Sequence, residues 1–295
     1  AIKLLFAHAR PFLLSNIEKI SMLRFSYSSS LPPKLHLNGN VRIMRITRLG
    51  QLHKEKPAVV VSDTEAIFVD DLVSDFNRVE LENGAIAKLA QADLSNRPKV
   101  KIADYRIGSP VARPTKVICV GLNYAKHAVE SGMTPPPEPV IFMKAPDTVI
   151  GPNDDVVVPP NSTKTDYEVE LCLVTLKPLS AKASAKGGLI LCNDVTDRAA
   201  LLRGADINDV ASGKGFTDGK SGAGFLPVGD LFVVPRNTKS FVEPLELHLS
   251  LNGEQRQRAR VINWIWDLDR LLLETAKRRG VSWIWREGRV QLPIN

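Results

Sequence analysis

Apolar and polar positions in this chain mostly change places in short runs, which predicts many brief strands with a few helices between them. Residues 42–46 alternate, and residues 58–61 and 66–69 are apolar and β-branched, with Asp70 and Asp71 closing the last run. Residues 81–92 carry helical spacing, and a linker with Pro98 and Pro110 follows. Residues 116–120 predict a buried strand, Gly121-Leu122-Asn123 a turn, and residues 124–130 a short helix ending at Gly132. A proline run (Pro135, Pro136, Pro137, Pro139) leads to a second buried strand at 140–143, with Lys144 at its end. Further strands are predicted at 166–174 and 189–194, then β-structure over 225–234 and 245–251, with a turn at Asn252-Gly253. Ile265, Leu268, Leu272 and Ala276 have helical spacing, and Trp283 and Trp285 alternate as in a strand.

One strand breaks the apolar rule. In Asp166-Tyr167-Glu168-Val169-Glu170-Leu171, side chains alternate faces, so Glu168 and Glu170 point one way while Tyr167, Val169, Leu171 and Leu173 pack on the other. Two carboxylates about 7 Å apart along a strand can reach one ion. A solvated strand face has the same pattern, so the reading depends on the rest of the chain.

Other candidate groups surround this strand. His127 and Glu130 are spaced i, i+3, on one helix face, where a carboxylate can orient an imidazole as a general base; a surface ion pair has the same spacing. The strand at 189–194 ends on Asp194, where a third metal ligand could sit. Thr196 or Asp197 is positioned to cap a following helix that begins near Arg198. Residues 213–222 form a glycine-rich loop that could present Lys220 to a ligand, but it lacks the glycine spacing of a phosphate-binding P-loop.

Composition narrows the classes. With 44% apolar and 24% charged residues, the 295-residue chain is long enough for one large domain plus a smaller one. Of its net charge of +7, +5 lies in residues 1–43, and the remaining +2 gives no argument for nucleic acid. The basic, serine-containing residues 1–43 resemble a transit-like leader or a segment outside the fold. No apolar run reaches the roughly 18 residues that a membrane span needs. Cys119, Cys172 and Cys192 lie in apolar runs without paired spacing and are expected to be reduced core residues in a reducing compartment.

Taken in order, six pieces resemble the fumarylacetoacetate hydrolase family. They are Gly121-Leu122-Asn123-Tyr124-Ala125-Lys126-His127, Phe142-Met143-Lys144, Gly151-Pro152-Asn153-Asp154, Glu168-Val169-Glu170, Asn193-Asp194-Val195-Thr196-Asp197-Arg198, and Gly219-Lys220-Ser221 with Phe225-Leu226-Pro227-Val228-Gly229. The resemblance implies an α+β fold, a mixed β-roll with flanking helices. A small β-rich domain over 44–110 would precede a catalytic domain over 111–295. It implies that Glu168, Glu170 and Asp194 hold Mg²⁺ or Mn²⁺ with positions left open for substrate. It also implies that His127, supported by Glu130, is the general base, that Lys220 is catalytic and binds substrate, and that Arg198 is a second substrate contact.

The implied activity is metal-dependent hydrolysis of a carbon–carbon bond in a small diketo or 2-oxo acid such as an acylpyruvate, by a homodimer in the cytoplasm or mitochondrion. Decarboxylation or isomerisation at the same site is the alternative. The sequence departs from the family pattern at Leu201 and Asp230 and lacks the terminal G-T-P segment, so a third expectation is an inactive homologue whose closing strands are truncated.

Overall fold

The computed structural model describes residues 43–124, 137–179, 187–206, 208–209 and 212–277, and the backbone of 282–285 and 288–291. Residues 1–42, all but the last residue of the expected leader or non-native segment over 1–43, lie outside the described residues, as do the predicted base and its partner, His127 and Glu130.

The strands run β1 (Ile43–Leu49), β2 (Lys56–Val60), β3 (Glu65–Phe68), β4 (Val100–Lys101), β5 (Val117–Gly121), β6 (Val140–Lys144), β7 (Val149–Ile150), β8 (Thr165–Asp166), β9 (Val169–Thr175), β10 (Gly187–Asn193), β11 (Thr196–Asp197), β12 (Leu226–Pro227), β13 (Phe232–Pro235), β14 (Glu246–Leu251), β15 (Glu254–Arg260), β16 (Ser282–Trp285) and β17 (Gly288–Gln291). The helices are α1 (Arg78–Glu82), α2 (Ala85–Gln91), α3 (Arg198–Gly204), α4 (Phe216–Lys220), α5 (Thr238–Val242) and α6 (Leu268–Lys277). The fold is α+β, as expected.

Seven strands form one sheet in the order β4-β3-β2-β1-β13-β10-β9. The chain returns from β1 to β13 across nearly two hundred residues, so the N-terminal strands and the strands of the candidate site share one hydrogen-bonded layer. β10 is buried along its whole length. Gly188 is required there, because a Cβ would come within 2.1 Å of the Phe232 ring, which lies over the strand. The main core combines Met44 and Ile46 of β1, Ile190 and Cys192 of β10 and Phe232 of β13 with Leu81 and Leu89 of the helical layer. On the opposite face, Val169, Leu171 and Tyr167 pack with Leu191, Leu247 and Leu249. This is the apolar side predicted for the double-glutamate strand.

Local differences from the sequence reading have physical causes. The single helix expected over 81–92 is two helices, broken at Gly84, whose φ of 88° is left-handed and ends helical propagation. α1 starts earlier because Asn77 caps it, accepting from the Glu80 amide at 3.0 Å. The glycine-rich 213–222 loop contains helix α4, which begins after Gly215 with φ of 81°. The hairpin at Asn252-Gly253 has both residues at positive φ, 53° and 82°, as a two-residue turn between β14 and β15 requires.

The expectation for the cysteines is corrected. Cys172 and Cys192 are joined by a disulfide, and Cys119 is the free thiol. In the β9–β10 ladder Cys172 faces Ile190 and Glu170 faces Cys192, so the two cysteines are diagonal neighbours on one face. Their Cα atoms are 6.3 Å apart, within disulfide reach. A separation of 20 residues along the chain hides this pairing, because it arises from strand register rather than from a spacing motif.

Candidate active site

The site is assembled where β9 begins and β10 ends. Asn193, the last residue of β10, accepts from the Glu168 amide through its side-chain oxygen at 2.9 Å, and the Asp194 amide donates to the Glu168 carbonyl at 2.7 Å. This double clasp fixes the backbones of both acids. It also ends the strand: Glu168 lies between β8 and β9 rather than inside a continuous strand over 166–174.

Arg198 is the first residue of α3, whose N-terminus is capped by Asp197 accepting from the Ala200 amide at 2.9 Å. That cap aims the guanidinium back at the acids. Its Nε donates to Asp166 Oδ2 at 2.9 Å and its Nη2 donates to Glu168 Oε1. Lys220 closes α4, which lies directly against α3: a Cβ on Gly219 would meet Leu201 at 2.4 Å. Lys220 Nζ donates to Glu168 Oε2 at 2.7 Å, to Asp194 Oδ2 at 2.6 Å and to Thr196 Oγ1 at 2.9 Å.

Two of the three predicted metal carboxylates therefore converge on one positive charge. Glu170, the third, is partly buried near them. Burial pushes its carboxyl up to about 8, with repulsion from Glu168 and Asp194 adding to the shift and Lys220 offsetting part of it. Burial opposes the charge on Lys220, but Glu168 and Asp194 more than compensate and hold its ammonium above the ordinary lysine range. Arg198 is stabilised in the same sense by Glu168 and Asp166 against its own burial.

Sequence reasoning gave Lys144 no role, although it was visible as a polar residue closing an apolar strand. Its side chain is fully buried, and Nζ donates to Asp194 Oδ1 at 2.6 Å and to the carbonyls of Val195 and Phe225 at 3.1 and 3.0 Å. Burial lowers its affinity for a proton, and Asp194 counters this. Lys144 and Lys220 thus hold the two oxygens of Asp194, one each. Replacing Lys144 by Met takes its donor from Asp194 Oδ1 and from two carbonyls, while Lys220 still holds Oδ2. The expected loss is about 3–5 kcal/mol of unfolding free energy, measured by urea denaturation.

The residues suit a hard divalent cation in kind. They are oxygen donors, and two of them already share one cationic partner. Among the described residues, no three His, Cys, Asp or Glu side chains gather closely enough to hold a metal as they stand, and Lys220 lies between Glu168 and Asp194. The acids line a cavity of about 1090 Å³ that also takes in Phe142, Phe216, Leu201, Tyr124 and Trp264. The Phe142 and Phe216 rings lie 4.4 Å apart, and Lys220 Nζ is 5.5 Å from the Phe142 centroid.

Among the described residues no helix is long and apolar enough to cross a membrane. The family described as fumarylacetoacetate (FAA) hydrolase C-terminal matches residues 116–282. A 2,4-didehydro-3-deoxy-L-rhamnonate hydrolase from Sphingomonas sp. (strain SKA58) is 34% identical over 234 residues, covering 78% of this chain and 77% of that protein. The crystal structure of a 5-carboxymethyl-2-hydroxymuconate delta-isomerase from Mycobacterium smegmatis is similar with a TM-score of 0.57 and 26% identity, over 79% of this chain and 81% of that one. Maleylpyruvate hydrolase from Sphingobium sp. SYK-6, solved with manganese (II) ion and pyruvate, shares the fold with a TM-score of 0.61 and 20% identity, over 79% and 83% of the two chains. The chain belongs to the fumarylacetoacetate hydrolase family, an enzyme superfamily of hydrolases and isomerases.

Proposed function

We propose that this protein is a divalent-metal-dependent hydrolase that cleaves a carbon–carbon bond in a small diketo or 2-oxo acid. The observation that carries this reading is the meeting of Glu168 and Asp194 on one ammonium, with the reluctant, partly buried carboxyl of Glu170 close by. Acids so placed concentrate negative charge, which Lys220 balances. Glu168, Glu170 and Asp194 would hold Mg²⁺ or Mn²⁺, which would supply Lewis-acid stabilisation of negative charge developing on the substrate.

The protein's own groups do the rest. Arg198 is oriented by two carboxylates and offers a planar donor edge for the substrate carboxylate. Lys220 keeps its proton and lines the cavity, where its charge would neutralise oxyanion charge as it grows. His127, oriented by Glu130, would take a proton from water as it attacks the carbonyl. The apolar walls formed by Phe142, Phe216 and Leu201 limit water around the reacting carbons.

The test is loss of the ultraviolet absorbance of an acylpyruvate in the presence of Mg²⁺. Activity is expected to fall at least about a hundredfold in Glu168→Ala and to vanish with chelator. No turnover on any diketo or 2-oxo acid by metal-loaded protein sinks the hydrolase reading. The isomerase neighbour supports a second reading, proton transfer at the same site, which product analysis separates by the absence of a cleaved acid.

A further inference from the structure

The Cys172–Cys192 disulfide sits inside the site's own scaffold. Cys172 is two residues beyond Glu170 on β9, and Cys192 is two residues before Asp194. Across the ladder Cys192 is the direct partner of Glu170. Directly opposed residues share a face, and so do residues two apart, so Glu170, Cys172 and Cys192 all project on one side of the sheet. Both sulfur-bearing residues line the 1090 Å³ cavity together with the three acids. Cys192 is buried and Cys172 only partly so, and small thiols entering that cavity would reach the bridge at the Cys172 sulfur.

β9 ends the seven-strand sheet. Among the described residues it has one ladder partner, β10. Whatever ties β9 to β10 therefore controls how firmly Glu170 is held against Asp194. The reduced state is also accommodated, since Cys192 Sγ is 3.6 Å from the Glu170 carbonyl oxygen and a thiol there has an acceptor. Cys119 lines the same cavity, but burial pushes its thiol well up, and Asp194 adds to that, so it remains protonated and a poor competitor for exchange.

We propose that Cys172 and Cys192 form a redox-responsive clamp that sets the stability of the β9–β10 pair and, through it, the cation affinity of the carboxylates. The part about cation affinity rests on the proposed metal-dependent function; the clamp itself does not. A low-molecular-weight disulfide such as oxidised glutathione supplies the oxidant. One cysteine thiolate attacks it and releases one glutathione. The second thiolate then attacks the mixed disulfide, closing the Cys172–Cys192 bond and releasing the second glutathione. Each protein thiol gives up its proton, two electrons pass to glutathione disulfide, and two glutathione thiols result.

The experiment equilibrates the purified chain with oxidised glutathione or with dithiothreitol. Free thiols are counted by alkylation and mass spectrometry, and melting is followed with and without Mg²⁺. The oxidised protein is expected to show one alkylated cysteine, Cys119, and the reduced protein three. Reduction is expected to lower the melting temperature by several degrees and to weaken the Mg²⁺ midpoint several-fold. Cys172→Ser and Cys192→Ser should each behave as the reduced form whatever the glutathione state, while Cys119→Ser still responds. Three free thiols after oxidation overturn the proposal, and so does a bridge that forms with no change in melting. A melting shift without any Mg²⁺ response in either state keeps the clamp and counts against the metal-dependent function.

Discussion

Lys220→Met is expected to lose activity by about a hundredfold to a thousandfold and to destabilise the metal-free protein by about 3–5 kcal/mol, followed by thermal or urea unfolding. The ammonium makes three hydrogen bonds and is the shared partner of Glu168 and Asp194. Its side chain is 5% exposed, and those of Glu168 and Asp194 are 18% and 9% exposed, so water takes over its role only in part. Removing it leaves two carboxylates facing one another near a third. A divalent cation then has more to neutralise than in the parent. Mg²⁺ should therefore raise the melting temperature of the variant by more than it raises that of the parent, without restoring turnover. A variant as stable as the parent, or one that Mg²⁺ stabilises less, contradicts the charge balance derived for the site.

Glu170→Gln has the opposite sign on stability. The folded protein raises the Glu170 carboxyl from its ordinary 4.5 to about 8. Protons are therefore bound more tightly in the folded than in the unfolded chain between those values. The stability this gives is complete below about pH 4.5 and is lost as pH rises through 8, at roughly 1.4 kcal/mol per unit. Partial access to the cavity reduces the total, and about 3 kcal/mol is expected. Gln carries no charge and escapes that loss. At pH 9 and without metal, Glu170→Gln should melt about 6–12 °C above the parent, and at pH 5 the two should nearly coincide. The variant should also lose its response to Mg²⁺, so a group needed for function is costly to the empty fold. Equal melting of variant and parent from pH 5 to pH 9 contradicts the desolvated carboxyl.

How much of this was legible in the sequence depended on whether an interaction is local. The alternation from Glu168 to Leu171 is local in the chain, and the apolar packing of Val169 and Leu171 on the other side follows from it. The cap at Asp197, and with it the start of α3 at Arg198, is readable from adjacent residues. The closing of the site by Lys144 is not, because it joins β6 to Asp194 across 50 residues. The same holds for the Cys172–Cys192 pair, which exists only once β9 and β10 are in register. Thr196 is another case: its hydroxyl accepts from Lys220 and donates to the Asp194 carbonyl at 2.9 Å, bracing both, yet in the sequence it reads only as a possible cap. The break at Gly84 was missed for a different reason. The apolar period runs through it, and a left-handed glycine interrupts the backbone without disturbing the pattern.

The central claim is that Glu168, Glu170 and Asp194 grip one hard cation. Titrating Mn²⁺ into the purified chain by calorimetry, with and without pyruvate as a chelating probe, tests it most directly. One ion per chain should bind, more tightly with pyruvate present, and Glu168→Ala, Glu170→Ala and Asp194→Ala, each shown to be folded by circular dichroism, should each abolish it. Folded parent protein that takes up no ion, or variants that bind as the parent does, would contradict the account.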